Sequence, residues 1–381
     1  MSGDKAPLPQ APDAGSCMPS EATAGAILTI DLGAIRENYR RLKARLGAAQ
    51  CAGVVKADGY GLGAAEVARA LAAEGCTSFF VALLAEGVAL RRALGPGPAI
   101  YVLNGLPPGS ENEAVEAELA PVINSAAQLK AWGEAGQAAG RKLPAAIQVD
   151  SGMSRLGMSP AEVEALSREP TSFDGVAVTL VMSHLACADE PAHPANERQW
   201  LAFERLRKML PEAPASLANS SGIFLGPAFH FDLVRPGAAL YGINPTPAEP
   251  NPMLPVVRLQ AKVVQTRSVE KGAGVGYGHT YRAEDPLGLA TISLGYADGW
   301  HRRAASAAWF ENVRLPFVGR VSMDSIILDI SALPQGKLGA GDLVELLGPS
   351  QSVDDAAGHA GTIGYEILTS LGQRFHRRYT G

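Results

Sequence analysis

The sequence is poor in cysteine, in aromatic residues and in charge of one sign. Its 381 residues include 4 cysteines, 6% aromatic residues, and 38 acidic against 33 basic side chains, for a net charge of −5. The cysteines form no CxxC pair and match neither a zinc site nor a disulfide framework, so we expect free thiols in a reducing compartment. The charge balance leaves no electrostatic footprint for nucleic acid or for an anionic membrane.

Long apolar runs are also missing. No stretch of about 18 uninterrupted apolar residues occurs, which argues against a transmembrane helix. Residues 1–24 are rich in Ala, Pro, Ser and Gly but lack the apolar run of a secretory signal, so we expect a flexible tail on a cytoplasmic protein. The whole chain, with 47% hydrophobic and 19% charged residues, has the composition of a globular protein with a large core.

Apolar, strand-like runs alternate with stretches of helical spacing over the first two thirds of the chain. Strand and helix alternate about eight times, which predicts an α/β fold with an N-terminal (β/α)8 TIM-type barrel. An open doubly wound sheet is the alternative, although no G-x-G-x-x-G follows an early strand. The eight runs are 51–56, 78–84, 99–104, 121–124, 145–150, 178–184, 215–219 and 231–235.

The pattern changes at a proline-rich segment, EPNPMLP, at 249–255. Short strands separated by Gly, Pro and Asp turns follow it and predict an all-β domain. An extra strand at 27–32 precedes the eight runs, and we expect it to pair with this second domain. A helix at about 362–371 is predicted to close the chain. The predicted organisation is a tail (1–24), a barrel domain (25–250) and a C-terminal β-strand domain (251–381).

Active sites of barrel enzymes lie at the C-terminal ends of the strands. Lys56 ends an otherwise apolar run, AGVVKADGYG. Its ammonium either reaches solvent at the strand end or lies inside the barrel mouth, where burial and nearby cations would lower its pKa and make it nucleophilic. The other polar residues at or near strand ends are Asn104, Asn124, Asp150, Arg155, His184, Asn219, Ser220 and Arg235.

Two small-residue segments follow the last two strands. These are ANSSG at 218–222 and RPGAALYG at 235–242. Each alone is compatible with a tight turn, but together, in the two loops where barrel enzymes often bind phosphate, they favour an anion site. An amine after the first strand and a phosphate cradle after the last two suggest pyridoxal 5'-phosphate as cofactor.

A series of motifs then identifies a family. VVKADGYGLG, VDSGMSRLG, SHLACAD, NSSG, RPGAALYG, VGYGHTY, GYADGW, GRVSMD and TIGYE occur in this order over residues 54–366. Together they resemble the bacterial alanine racemases, pyridoxal phosphate enzymes of fold type III. The resemblance implies a homodimer with active sites shared between chains, alanine as the small-molecule substrate, and D-alanine supply for peptidoglycan.

The resemblance also implies roles for individual residues. Lys56 resembles the Schiff-base lysine and one catalytic base, and Tyr277 resembles the opposite-face base, contributed by the partner chain. Arg235 resembles the partner of the pyridine nitrogen, and His184 the histidine between that arginine and the catalytic tyrosine. The phosphate contacts implied are Tyr60, Ser220, Gly237, Ala238 and Tyr365; the substrate-side residues are Arg155, Tyr296, Met323 and Asp324. No metal ligands are expected.

The proposed residues fit the demands of racemisation. A planar carbanion reprotonated by one base would mostly retain its configuration, so two bases on opposite faces are needed. Free phenol and lysine lose their protons only near pH ~10 and ~10.4, so Arg235, through His184, is expected to stabilise the phenolate by placing positive charge near it. Arginine keeps its proton, so the ring nitrogen facing it stays unprotonated, which disfavours transamination.

The sequence departs from the family pattern at two positions. Gln148 stands where many members carry a carbamylated lysine that orients the arginine matched by Arg155; either the amide positions Arg155 directly, or an anion such as chloride fills the gap. Ser322 stands where relatives often have cysteine, with little expected consequence. Other functions left open are a broad-specificity or serine racemase, a decarboxylase, disfavoured by Arg235, and a non-catalytic cofactor carrier, disfavoured by the second domain.

Overall fold

The computed structural model describes residues 19–169, 171–304 and 306–381. Cys17 and most of the predicted tail lie outside these ranges. Within them, no helix combines the length and the apolar character needed to cross a membrane.

The barrel domain follows the predicted alternation of strands and helices. After β1 (Ala26–Asp31) and α1 (Leu32–Lys43), the first barrel strand runs in two short pieces over 50–54, and a helix or a short helical turn follows it and each later barrel strand. In chain order the elements are β2 (Gln50–Cys51), β3 (Gly53–Val54), α2 (Lys56–Tyr60), α3 (Ala64–Ala73), β4 (Ser78–Val81), α4 (Leu84–Leu94), β5 (Ala99–Val102), α5 (Glu111–Glu116), β6 (Ala120–Ile123), α6 (Ala126–Ala138), β7 (Leu143–Gln148), α7 (Pro160–Ser167), β8 (Val176–Met182), α8 (Ala195–Arg207), β9 (Ala215–Ser216) and β10 (Leu233–Val234).

These strands form a parallel barrel. Strands β3 to β9 pair in sequence order, and β10 pairs in parallel with β2, which continues the β3 run. The amide of Asp232 donates to the carbonyl of Ala215 (3.0 Å), and that of Arg235 donates to Ala218 (2.9 Å), which joins the last two strands. The barrel predicted from the sequence is confirmed. Three 3₁₀ turns, at Ser221–Leu225, Pro227–Phe229 and Ala238–Tyr241, follow its last two strands.

The C-terminal region is dominated by strands. Its remaining elements are β11 (Val257–Val269), β12 (Gly274–Val275), β13 (Tyr281–Arg282), β14 (Leu287–Ile292), β15 (Ala307–Phe310), β16 (Val313–Pro316), β17 (Ile326–Asp329), β18 (Leu343–Leu347), α9 (Val353–Ala360), α10 (Gly364–Ser370) and β19 (His376–Thr380). The main sheet has the order β16-β15-β18-β11-β1-β19, and β14 pairs with β11 and β17.

The first and last strands lie side by side in this sheet. β1 pairs antiparallel with β11 and parallel with β19. The helix predicted at about 362–371 is confirmed as α10, but it does not close the chain, because β19 follows it. Its sequence, HRRYT, has no alternating apolar pattern that would indicate a strand, and only pairing with the apolar β1 gives it that structure.

One continuous cluster of buried apolar side chains joins the barrel to the C-terminal sheet. It includes Phe79 and Phe80 in the barrel, and Leu259 and Leu346 in the sheet. Because of this shared core, α10 packs against α2 at the C-terminal end of the barrel strands. The C-terminal region thus contributes a wall to the barrel mouth.

Candidate active site

Lys56 begins a tight left-handed turn at the C-terminal end of the first barrel strand. Ala57, Asp58, Gly59 and Tyr60 have φ values of 53°, 53°, 61° and 56°. Non-glycine residues rarely adopt this region, and each costs roughly 1–2 kcal/mol there. The turn closes with the amide of Gly59 donating to the carbonyl of Val55 (2.9 Å). It sends the side chains of Lys56 and Tyr60 into the same cavity.

The environment of Lys56 disfavours its charged form. Burial lowers the pKa of its ammonium, the cationic Arg155 lowers it further, and Glu86 opposes the shift. The sequence predicted this direction for a lysine in the barrel mouth. A lower pKa makes the free amine more available for nucleophilic attack on a carbonyl.

Arg235 is held rigidly beneath the cavity. It is 4% exposed, and its guanidinium donates to the carbonyl of Ser183 (2.6 Å) and to the hydroxyl of Ser216. Its Nη2 lies 3.4 Å from Nδ1 of His184. Burial lowers the pKa of Arg235 to about 9, so it stays cationic at neutral pH.

His184 is neutral in this setting. Burial lowers its pKa to about 3, with further lowering by Arg235, Arg155 and Lys56. Because arginine has only donors, Nδ1 of the imidazole must accept from the guanidinium, which assigns the hydrogen to Nε2. The ring therefore presents an N–H donor on its far side.

Ser220 organises a cradle of backbone amides. Its Oγ accepts the N–H groups of Gly237 (3.0 Å) and Ala239 (3.1 Å), which leaves its own hydroxyl hydrogen free to donate. The N–H of Ala238, at the start of its 3₁₀ turn, has no acceptor among the described residues. The Ser220 hydroxyl and the Ala238 amide are thus the two free donors of this cradle, and together they can bind an anion.

Two tyrosines border this cradle. Tyr60 stacks on Tyr241 with ring centroids 4.5 Å apart, and Tyr365 from α10 lies 6.2 Å from Tyr60. Burial raises the pKa of both phenols, so both are hydrogen-bond donors at neutral pH. Gly237 is required beside them, because a Cβ there would lie 2.2 Å from Oη of Tyr60.

The structure brings most of the predicted site residues into one cavity of about 530 Å³ at the barrel mouth. A volume of a few hundred Å³ is typical of small-ligand sites. The predicted residues that line it are Lys56, Tyr60, Arg155, His184, Ser220, Arg235, Gly237, Ala238 and Tyr365. Sequence reasoning missed Leu156 and Thr369, which also line the cavity but stand in loop and helix positions with no chemical signal.

Four predicted residues lie elsewhere in this chain. Tyr277, Tyr296 and Met323 are outside the cavity lining and are 71%, 40% and 53% exposed. Asp324 forms an ion pair with Arg374 (2.7 Å). The amide of Tyr296 donates to the carbonyl of Ser322 (3.0 Å), the residue before Met323. The exposed Tyr296 and Met323 therefore lie on two adjoining loops.

Gln148 is the residue that stands where many family members carry a carbamylated lysine. Gln148 and Arg155 both line the cavity, but the described residues include no hydrogen bond between their side chains. The loop that carries Arg155 is instead shaped by Asp150, whose Oδ1 accepts three backbone N–H groups, from Gly152, Met153 and Ser154. Direct positioning of Arg155 by the amide is therefore not seen in this structure.

Fold and site together define the class of this protein. In one cavity, a barrel followed by a strand-rich domain combines a lysine of lowered pKa with an anion cradle, the groups needed to bind a small anionic carbonyl compound covalently. The model of the alanine racemase N-terminal domain matches residues 30–245, and that of the alanine racemase C-terminal domain matches residues 256–379. The chain belongs to the alanine racemase family of isomerases.

Curated relatives agree over nearly the full length. The catabolic alanine racemase of Mesorhizobium japonicum is 80% identical over 362 residues, which cover 95% of each chain. A catabolic alanine racemase from Agrobacterium fabrum is 52% identical and covers 92% of this chain and 91% of its own.

Solved structures agree as well. The alanine racemase of Bartonella henselae, determined with covalently bound pyridoxal phosphate, superposes with a TM-score of 0.90 at 43% identity, covering 93% of this chain and 99% of its own. The biosynthetic alanine racemase of Pseudomonas aeruginosa gives a TM-score of 0.86 at 39% identity, covering 94% and 100% of the two chains. The predicted family is confirmed.

Proposed function

We propose that this protein interconverts L-alanine and D-alanine with pyridoxal 5'-phosphate bound at Lys56. One observation supports the proposal: Lys56, with its lowered pKa, lines the same cavity as the anion cradle formed by Ser220, Gly237 and Ala238. The Bartonella relative, named for its covalently bound pyridoxal phosphate, supports the choice of cofactor.

The residues of the cavity match the parts of this cofactor. The Lys56 amine would be the attachment point, and the phosphate would take donors from Ser220, Tyr60 and Tyr365 and from the free amide of Ala238. Arg235 would hold the ring nitrogen and, because it keeps its own proton, would leave that nitrogen unprotonated. When bound, the cofactor withdraws electrons from the amino acid and so weakens its Cα–H bond.

Two bases then act on opposite faces of the substrate. The Lys56 amine, when it is not joined to the cofactor, would exchange the α-proton on one face, and the partner subunit's Tyr277 would exchange it on the other. The neutral His184, which accepts from Arg235 at Nδ1, donates through Nε2 toward the phenolate oxygen and stabilises it. Exposure of Tyr277, Tyr296 and Met323 on a single chain favours a homodimer in which this surface is covered and completes the neighbouring site.

Arg155 and the partner's loop residues bound the substrate. The guanidinium of Arg155 offers a charge-assisted bond to the substrate carboxylate or to the phenolic oxygen of the cofactor. The partner subunit's Tyr296 and Met323, with Tyr365 of this chain, limit the space for the side chain. One methylene is worth about 1–3 kcal/mol of discrimination, so we expect serine to be a poorer substrate than alanine.

The physiological direction depends on which enantiomer is consumed. Mirror-image amino acids have equal free energy in water, so the enzyme does not itself set a direction. The Mesorhizobium and Agrobacterium relatives are named catabolic, which favours use of alanine as a nutrient over the D-alanine supply for peptidoglycan that the sequence suggested. A deletion strain separates the two: a D-alanine requirement for growth indicates supply, and failure to grow on alanine indicates catabolism.

The central test is enantiomer analysis. Purified protein with the cofactor is incubated with L-alanine, and the product is resolved by chiral chromatography; we expect an approach to equal amounts of both enantiomers. Lysine, arginine and serine are run in parallel. Faster turnover of serine would favour the broad-specificity alternative, and carbon dioxide release without D-alanine would overturn the proposal. Lys56→Ala should lose both the reaction and the covalent cofactor, whereas the exposed Lys142→Ala should lose neither.

A further inference from the structure

Glu86 joins the ends of the first two barrel strands. Its Oε1 accepts the N–H of Ala57 (2.8 Å), the residue directly after Lys56. Its Oε2 accepts the N–H groups of Ala82 (2.7 Å) and Leu83 (3.2 Å), which follow β4. Glu86 lies in the first turn of α4, so one carboxylate caps that helix and at the same time holds the lysine turn.

The turn that follows Lys56 needs such a restraint. Three of its residues, Ala57, Asp58 and Tyr60, are non-glycine residues in the left-handed region. Conformations of this kind persist only where the surrounding structure determines them. The far end of the turn is held by the C-terminal region, where Arg377 donates to the carbonyl of Gly61 (2.7 Å) and Tyr379 donates to that of Leu62 (3.0 Å).

The beginning of the turn has a different restraint. The N–H of Ala57 donates to Glu86, and among the described residues it has no other acceptor. Hydrogen bonds to a charged acceptor are roughly twice as strong as neutral ones. The direction in which the Lys56 side chain leaves the strand thus depends on a residue that lies outside the cavity lining.

We propose that Glu86 is a positioning residue for Lys56: its carboxylate fixes the left-handed turn so that the lysine amine points at the bound cofactor. The negative charge has a second effect, since it opposes the lowering of the Lys56 pKa by burial and by Arg155. Glu86 thereby sets both the direction and the basicity of the amine without touching the ligand.

This inference rests on the proposed function, because it assumes that Lys56 binds pyridoxal 5'-phosphate. The test measures adduct formation rather than racemisation. Protein freed of cofactor is mixed with pyridoxal 5'-phosphate, the adduct is trapped with borohydride, and the modified lysine is quantified by mass spectrometry over time. For Glu86→Ala we expect the rate of adduct formation at Lys56 to fall at least about tenfold, because the loss of the charged hydrogen bond outweighs the larger share of free amine that removal of the negative charge gives.

A matched control is available elsewhere in the barrel. Glu162 caps α7 in the same manner, accepting the amide and hydroxyl of Ser159 (2.9 and 2.8 Å), but it makes no contact with the lysine turn. Glu162→Ala should reduce thermal stability to a similar degree and leave the rate of adduct formation within about twofold. Glu86→Gln keeps the side-chain shape and one acceptor oxygen, and should recover part of the lost rate.

The outcomes separate the two proposals. No adduct at Lys56 in the unmodified protein would refute the proposed function itself. Normal adduct formation in the unmodified protein and in Glu86→Ala alike would refute the positioning role. Equal slowing by Glu86→Ala and Glu162→Ala would also refute it, because the effect would then follow from stability alone. If Glu86→Ala does not fold, the same comparison is made with Glu86→Gln, and an unchanged rate there overturns the inference.

Discussion

Nη2 of Arg235 lies 3.4 Å from Nδ1 of His184, at the base of the cavity that holds Lys56. The pair joins a side chain that is cationic at neutral pH to a neutral imidazole and leaves Nε2–H of the imidazole free to donate. Arg235 thereby supplies positive charge next to His184, while His184 itself stays neutral and only donates a hydrogen bond. Several outcomes of this arrangement are measurable.

The first concerns stability in acid. The pKa of His184 falls from about 6.5 in the unfolded chain to about 3 in the folded protein, so between these values the unfolded state binds more protons. The stabilisation from His184 is complete above pH ~6.5 and is lost as the pH falls, by about 1.4 kcal/mol per unit. For His184→Gln we expect the free energy of unfolding to change less steeply with pH between about pH 4 and 6. The slope should fall by about 1.4 kcal/mol per pH unit, which corresponds to one proton.

Chemical denaturation at several pH values gives this slope. Gln137→Ala serves as the control, because its side chain is exposed and does not titrate, so the slope should stay as in the unmodified protein. A slope in His184→Gln equal to that of the unmodified protein would show that the imidazole is not buried in its neutral form.

Ser220→Ala should weaken the binding of the phosphate group selectively. The substitution removes a hydroxyl donor and also the acceptor for two buried amides, so we expect the affinity for pyridoxal 5'-phosphate to fall by roughly 10- to 100-fold. The affinity for pyridoxal, which lacks the phosphate, should change little. Fluorescence titration of both compounds, with the exposed Ser268→Ala as control, measures the difference. A parallel loss for the two ligands would rule out a phosphate contact.

Gly237→Ala should destabilise the protein through Tyr60. The added Cβ would lie 2.2 Å from the phenolic oxygen but 3.0 Å from Cζ, so the hydroxyl is the main obstacle. We expect a loss of about 1–3 kcal/mol in the free energy of unfolding, with partial recovery when Tyr60→Phe is added. The free energy of unfolding is measured by heat and by urea for both single variants and the double variant, which together form a double-mutant cycle. Absence of recovery would mean that the backbone of Gly237, rather than the clash, is responsible.

Mixing two inactive variants should restore activity. Lys56→Ala retains Tyr277, and Tyr277→Phe retains Lys56, so a mixed dimer contains one site with both bases. Random reassortment of equal amounts should recover about a quarter of the unmodified activity. The variants are mixed after mild dissociation, and racemisation is followed with time. Persistent inactivity of a mixture that has demonstrably formed mixed dimers would contradict a shared site.

Tyr277→Phe alone should affect the two substrate directions unequally. Only one face of the substrate loses its base, so exchange of the α-proton with solvent deuterium should fall far more for one enantiomer than for the other. The exchange is measured by NMR for L-alanine and D-alanine separately. Equal losses would argue against the division of the two faces between Lys56 and Tyr277.

Much of the architecture was predictable because its signals are local. Alternating apolar runs and helical spacing indicated the barrel, and the EPNPMLP segment marked the change to a strand-rich region. β19 was not predictable in this way, because HRRYT becomes a strand only through its pairing with β1, more than 340 residues earlier in the chain. Glu86 was missed for a similar reason: its acceptor role depends on the approach of the Lys56 turn, and Leu83 before α4 gives no capping signal.

The sequence by itself determined which chemical groups are available. These are a lysine at the end of an apolar run, small residues after the last two strands, and an arginine, not an acid, at the position matched to the partner of the pyridine nitrogen. Only the tertiary structure decided which of them meet. Lys56, Ser220, Arg235 and Tyr365 enclose one cavity, while Tyr277, Tyr296 and Met323 of the same chain remain on its surface. The physical reason is that strand pairing and the packing of α10 against the barrel depend on contacts between distant residues, which no local pattern encodes.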